Sequence, residues 1–117
     1  MERSIAVNRS VVKASSIREG VIGRDVVVLQ ETENLVSGVT IVHPQCQTSG
    51  HAHPHREEHY FVLRGSGYIQ LDEDTHPIHA GDCIYVPPIS MHTVVNTEQD
   101  PLEFYWTAFP DEPKITG

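Results

Sequence analysis

The strongest constraint on the fold is a series of short apolar segments, rich in β-branched and aromatic residues, that recur between glycine- and proline-containing turns. Such segments, repeated at intervals of roughly 8–12 residues, are typical of antiparallel strands. The predicted strands cover residues 26–29, 36–43, 60–63, 68–71, 75–79, 83–86, 91–95 and 102–109. No long helical period interrupts them, so the pattern predicts an all-β sandwich or barrel.

The chain is organised as one unit. Its 117 residues fit a single domain, and neither an internal repeat nor a linker divides them. Residues 1–24 mix polar and apolar side chains without a strong period and are predicted to form an edge strand or arm, with a short helical turn or strand at residues 11–17. Within the strand at residues 36–43, Gly38 is predicted to mark a β-bulge.

Composition excludes several classes of partner. Sixteen acidic against eight basic side chains give a formal charge of −8, which argues against binding to nucleic acid or an anionic membrane. No segment approaches the ~18 apolar residues of a membrane span, so we expect a soluble, cytoplasmic protein. Cys46 and Cys83 form no CxxC pattern and are expected to be free thiols.

Histidines cluster in the middle of the chain. Five of the eight lie between positions 43 and 59, namely His43, His51, His53, His55 and His59. Because residues i and i+2 of a strand share a face, His51 and His53 would present two imidazoles to one metal ion. A carboxylate from Glu57 or Glu58 would then complete most of a coordination shell.

Strand alternation separates the residues that follow into two sets. One face would carry Glu58, Tyr60 and Val62, and the other His59, Phe61 and Leu63. Glu57 would replace Glu58 at the site if the preceding loop were one residue shorter.

Two groups of residues have a spacing that is specific enough to compare with known families. The first reads His51-x-His53, four residues, Glu58, six residues and Gly65; the second reads Gly81, five residues, Pro87, then His92, three residues and Asn96. These blocks, at about residues 45–65 and 81–96, resemble the paired motifs of the cupin superfamily in the same order. The resemblance implies a small single-domain cupin with a double-stranded β-helix, or jelly-roll, barrel.

Carried over by position, the resemblance implies a metal site inside the barrel. Its ligands would be His51, His53, Glu58 and His92, and the six-residue count to Gly65 favours Glu58 over Glu57. Such a mixed N/O set suits one divalent ion per chain, of Fe, Mn, Ni, Co or Zn. Tyr60 shares the face of Glu58 and is a candidate cavity residue with a catalytic role. The remaining histidines are expected outside the site (His43, His55, His59, His76 and His79).

Two positions depart from the family pattern. Gln45 and Ile89 stand where the motifs usually carry glycine, six positions before the first histidine and two after the proline. Both belong to turns in which glycine often adopts positive φ, so we expect altered loop geometry at the barrel mouth.

The resemblance implies several functions. We favour an enzyme that uses the ion to activate a small oxygenated organic substrate, with a dioxygenase first. A non-redox isomerase, cyclase or lyase, in which Tyr60 moves a proton, is the alternative, as is a non-catalytic module that binds a sugar or small ligand. Neither the substrate nor the native metal follows from the sequence.

The final strand suggests self-association. Residues 104–106 read Phe-Tyr-Trp, and alternation sends these large side chains to both faces of the sheet. One face would pack the barrel and the other would remain for a partner subunit, so we expect a homodimer.

Overall fold

In the computed structural model, residues 19–21, 23–50, 52 and 55–109 are described, and they form nine β-strands. The strands are β1 (Glu19–Val21), β2 (Arg24–Glu31), β3 (Val36–Val42), β4 (Glu58–Arg64), β5 (Ser66–Leu71), β6 (Asp74–His79), β7 (Cys83–Val86), β8 (His92–Val95) and β9 (Leu102–Ala108). These ranges contain no helix, which confirms the all-β prediction.

Two antiparallel sheets make up the barrel. The larger has the order β1-β2-β3-β9-β4-β7, and the smaller has the order β6-β5-β8. The last strand, β9, lies between β3 and β4, so residues distant in sequence share one sheet. The first motif therefore contributes β4 to the larger sheet, whereas the second contributes β7 to the larger sheet and β8 to the smaller one.

The inner faces of the two sheets enclose the core. The larger sheet contributes Val42, Val62, Leu102 and Phe104, and the smaller contributes Ile69, Ile78 and Val94. All are buried, and each such side chain stabilises the fold by about 1.5–3 kcal/mol relative to exposure. This apolar packing holds the sheets together around the site.

The predicted strands agree with the observed ones apart from their ends. Of residues 1–24, predicted as an edge strand or arm, the described part includes β1, which pairs with β2 at the margin of the larger sheet, and residues 1–18 lie outside the described residues. The helical turn or strand predicted at residues 11–17 lies outside the described residues. Across the described ranges, the protein has no helix with the length and apolar character needed to cross a lipid bilayer.

The bulge prediction at Gly38 is wrong. Gly38 pairs in register with both Val28 and Trp106, and the register shift lies on the neighbouring strand, between Val28 and Gln30. A Cβ at Gly38 would lie 2.5 Å from the Trp106 ring and would also contact the Val27 carbonyl oxygen. Glycine is present because the indole packs directly on the backbone.

The aromatic residues of β9 alternate as predicted. Phe104 is buried on the inner face, Trp106 is half-buried there, and Tyr105 is 37% exposed on the outer face. Trp106 Nε1 donates to Thr40 Oγ1 at 2.9 Å, which ties β9 to β3 across the inner surface.

Candidate functional site

Glu58 opens β4 and points into the barrel. It is 5% exposed, and burial alternates along the strand as predicted, with Tyr60 and Val62 also inside. The outward set, which is exposed, consists of His59, Phe61 and Leu63. A carboxylate buried at this depth needs charged or hydrogen-bonding partners.

His92 supplies one of these partners from the opposite sheet. It opens β8, is 2% exposed, and places Nε2 3.4 Å from Glu58 Oε2. Its Nδ1 lies 3.0 Å from the Ser90 carbonyl oxygen. Because a carbonyl only accepts hydrogen bonds, Nδ1 carries a proton and Nε2 is the ring atom directed at Glu58.

The turn that carries Ser90 is held by a distant hairpin tip. Ser90 Oγ donates to Asp72 Oδ2 at 3.1 Å, and the Met91 amide donates to Asp72 Oδ1 at 3.0 Å. The Asp72 amide in turn donates to the Met91 carbonyl at 2.7 Å. Asp72 therefore fixes the backbone that orients His92. The sequence alone does not predict this role of Asp72, since nothing local indicates a partner 18 positions away.

Arg56 is the second charged neighbour of Glu58. Its Nε lies 3.4 Å from Glu58 Oε2, and the side chain is largely buried. Burial raises the pKa of Glu58, but the nearby His92 imidazole and the charge of Arg56 outweigh it and hold that pKa below its usual value. Burial lowers the pKa of His92, yet the Glu58 carboxylate and the Ser90 carbonyl bring it above its usual value.

Tyr60 lies beside this pair. Its ring centroid is 6.2 Å from that of His92 and 4.7 Å from that of Phe104. Burial first, and then the charge of Glu58, raise the pKa of Tyr60 well above its usual range, so the phenol keeps its proton near neutral pH.

A cavity of about 170 Å³ opens on the inner face of the larger sheet next to these groups. Its lining residues within the described ranges are Arg24, Val26, Thr40, Thr48, Arg56, Glu58, Tyr60, Phe104 and Trp106. The volume is below the ~300–1,000 Å³ of common drug-sized pockets, so a small molecule fits best. Sequence reasoning found Glu58 and Tyr60 but missed Arg24 and Arg56, because long-range strand order alone brings them together.

Two of the four predicted metal ligands, Glu58 and His92, therefore meet. His51 and His53 lie outside the described residues. The described residues around them, 48–50, 52 and 55–57, belong to no strand. Within the described ranges, no three His, Cys, Asp or Glu side chains converge as a metal site. The four-ligand set stays a prediction.

The other candidate groups lie away from the inner face. Glu57 is exposed and accepts a hydrogen bond from the Tyr85 hydroxyl at 2.9 Å. His59 meets the same tyrosine edge-on, with ring centroids 5.8 Å apart. His55 and His76 are exposed, while His43 lies 3.6 Å from Asp25 and His79 lies 3.7 Å from Asp82.

The turns with missing family glycines keep the backbone that glycine would adopt. Gln45 has φ of 65° and Ile89 has φ of 74°, so the expectation of altered loop geometry is wrong at these residues. Gln45 Nε2 donates to the carbonyls of Thr97 and Glu98 at 2.9 and 3.1 Å, which anchors its turn. Ile89 is 72% exposed, and a β-branched residue at positive φ is strained.

The described half of the site suits a divalent metal in its chemistry. It offers one carboxylate and one imidazole, and the imidazole is held by a backbone carbonyl through its other nitrogen. Such an outer hydrogen bond is usual for metal-binding histidines because it fixes the ring and its tautomer. A mixed N/O donor set also matches the ions expected from the sequence.

Comparisons with known proteins give a family match and a fold match for the chain. A cupin-domain family model matches residues 38–108. An uncharacterized protein of Methanocaldococcus jannaschii is 35% identical over 60 residues, covering 51% of this chain and 48% of that protein. Protein SchB of Streptomyces halstedii is also 35% identical over 60 residues, covering 51% and 44%. The matches thus span about half the length of these curated relatives.

Solved structures show the same fold. A Klebsiella pneumoniae protein with a double-stranded β-helix domain has a TM-score of 0.79 and 21% identity, covering 91% of this chain and 94% of that one. A predicted oxalate decarboxylase from Thermotoga maritima has a TM-score of 0.77 and 23% identity, covering 85% and 97%. The likeness confirms the double-stranded β-helix predicted from the sequence.

Replacing the strained Ile89 should stabilise the protein. We expect Ile89→Gly to raise the free energy of unfolding by about 1 kcal/mol, because glycine adopts positive φ without a Cβ clash. Urea unfolding measures the change. Ile89→Ala is the control, since it removes the exposed apolar surface but keeps the Cβ. An equal gain in both variants would show that the exposed apolar side chain, and not backbone strain, destabilises the wild type.

Removing the Asp72 carboxylate should loosen the turn before His92. Asp72→Asn replaces one acceptor oxygen by a donor, and we expect it to lower the free energy of unfolding by about 1–2 kcal/mol. Asp74→Asn, an exposed change in the same hairpin, should cost under about 0.5 kcal/mol. Urea unfolding compares the two, and similar losses would mean that the Asp72 contacts contribute nothing specific.

Proposed function

Because the chain belongs to the cupin family, we propose that it is a metal-dependent enzyme that acts on a small oxygenated organic molecule inside the barrel. One observation carries the proposal. A buried carboxylate and a buried imidazole, Glu58 and His92, come from different sheets and meet 3.4 Å apart beside a cavity of about 170 Å³.

The proposed ligands are His51, His53, Glu58 and His92. The ion they would hold is divalent, one of Fe, Mn, Ni, Co or Zn. When bound, such an ion supplies Lewis-acid polarisation of a substrate oxygen and, if it is iron, the means to activate O₂. Ligand orientation and substrate binding would depend on the chain's own side chains.

These side chains orient the ligands and shape the substrate space. The Ser90 carbonyl holds His92 through Nδ1, and the Arg56 guanidinium places a positive charge 3.4 Å from the Glu58 carboxylate. Tyr60 and Phe104 form an aromatic wall that excludes water from one side of the cavity. A small, partly aromatic pocket of this kind suits the control of reactive oxygen chemistry, so a dioxygenase is the first candidate.

The second candidate is a non-redox isomerase, cyclase or lyase. It is favoured by the position of the Tyr60 hydroxyl, which lies in the cavity wall next to Glu58 and would there reach a substrate oxygen for proton exchange. Solved structures of the same fold include a cupin described as a sugar phosphate isomerase from Silicibacter pomeroyi. A module that binds a small ligand without chemistry remains the alternative outside catalysis.

The homodimer expected from the sequence also remains a proposal. Its support is the outer face of the larger sheet, where Phe61 of β4 pairs with Tyr105 of β9 and both side chains are exposed. A second subunit on this face would cover both rings.

Metal content tests the proposed ligands directly. We expect protein purified without chelator or a nickel column to carry close to one divalent ion per chain by elemental analysis, and His92→Ala and Glu58→Gln each to lose most of it. His59→Ala is the matched control, because His59 is the outward neighbour of Glu58 on the same strand. Stoichiometric metal in His92→Ala would refute the ligand assignment.

Turnover with and without O₂ separates the two catalytic candidates. The dioxygenase predicts O₂ consumption coupled to product, measured with an oxygen electrode over a panel of small hydroxy- and oxo-acids. The non-redox enzyme predicts anaerobic turnover that Tyr60→Phe lowers about 100-fold or more, while Tyr105→Phe on the outer face leaves it unchanged. Metal-dependent binding without product under either atmosphere would contradict both and favour the binding module.

A further inference from the structure

The cavity contains a cationic group that the metal site does not use. Arg24 opens β2, is half-buried, and lies on the inner face with the other lining residues. Among the described residues, no acidic side chain lies within ion-pairing distance of its guanidinium. Placing an uncompensated charge in a partly closed space costs free energy unless a partner arrives.

Arg24 differs in this respect from Arg56. Arg56 lies 3.4 Å from Glu58, so its charge is already balanced inside the protein. Glu58 is the cavity's only carboxylate among the described lining residues, and it is also the partner of His92. No anion of the described lining is therefore left for Arg24.

The neutral polar groups of the lining add further donors. Thr40 Oγ1 accepts from Trp106 Nε1 at 2.9 Å, and Thr48 Oγ1 accepts from the Val94 amide at 3.0 Å. Each oxygen is thus engaged as an acceptor, and each hydroxyl still has its own proton to donate. Together with Arg24, these groups make the cavity rich in donors and poor in free acceptors.

We propose that the barrel cavity binds a small carboxylate-bearing molecule and that Arg24 is the residue that binds its carboxylate. The planar guanidinium matches the two oxygens of a carboxylate, and the two threonine hydroxyls suit further oxygen atoms of the same molecule. The formal charge of −8 does not attract anions from a distance, so recognition depends on this local group.

The anion site does not depend on the proposed function. The identification of the anion as the substrate does rest on it. A molecule with its carboxylate on Arg24 would extend past the aromatic wall of Tyr60 and Phe104 towards Glu58. Arg24 would then set specificity by rejecting neutral molecules of the same shape, because they leave the guanidinium unpaired.

Calorimetric titration of the full chain in the presence of chelator tests the anion site without metal. The probes are malonate and its uncharged twin malonamide, at low ionic strength. We expect malonate to bind at least about tenfold more tightly than malonamide, and Arg24→Gln to weaken malonate binding at least about tenfold.

Arg64→Gln is the matched control. It makes the same change in charge at an exposed arginine that pairs with Glu103 at 3.2 Å and does not line the cavity. We expect it to change malonate binding by less than about twofold. Equal losses in Arg24→Gln and Arg64→Gln, or equal binding of malonate and malonamide, would overturn the proposal. Tighter binding of inorganic phosphate than of malonate would overturn the choice of a carboxylate.

A second variant covers the case in which Arg24→Gln does not fold. Arg24→Lys keeps the charge but loses the planar pair of donors, and it should weaken malonate binding several-fold. Wild-type affinity in Arg24→Lys and in any folded Arg24→Gln would refute the role of Arg24.

Elemental analysis separates this proposal from the proposed function. Arg24→Gln should retain the metal content of the wild type. If the wild type purified without chelator contains no metal but malonate still binds through Arg24, the proposed metal enzyme is refuted and the anion site stands. Bound metal with no Arg24-dependent malonate binding would do the reverse.

Discussion

The contact between Glu58 and His92 is the one on which the candidate site depends. It joins β4 of the larger sheet to β8 of the smaller one, so it exists only when the barrel is closed. A buried pair of this kind adds little net stability, because desolvation of both groups offsets their attraction. Arg56 and the Ser90 carbonyl reduce that cost without removing it. The fold thus keeps a buried polar contact that apolar side chains could replace without loss of stability. Such a contact is explained better by function than by stability.

Local pattern was enough to predict the strands and their facing residues. Alternation placed Glu58 inside and His59 outside, because a period of two is a property of the strand alone. It failed at Gly38, where the cause is an indole from β9 that packs on the backbone. Asp72 and Arg24 escaped notice for the same reason, since their roles come from elements far away in the sequence.

The family pattern was informative even where the sequence departs from it. Gln45 and Ile89 both have positive φ, so the fold determines the backbone conformation at these turns even where the residue is not glycine. The two residues differ in how the strain of positive φ is offset. Gln45 offsets its strain through hydrogen bonds to two carbonyls, while Ile89 points largely into solvent. Absence of a glycine therefore indicates strain at a turn and not a different turn.

The charges of the cavity then divide into two functions. Arg56 and His92 both face Glu58, and this group of three is nearly balanced by itself. Arg24 lines the same cavity without an acidic partner among the described residues, and the hydroxyls of Thr40 and Thr48 each keep a proton to donate. A ligand that satisfied all of these donors would have to bring negative charge and several oxygen atoms. The side chains that hold the metal and those that select the ligand would then be different residues, and each set could be altered without loss of the other.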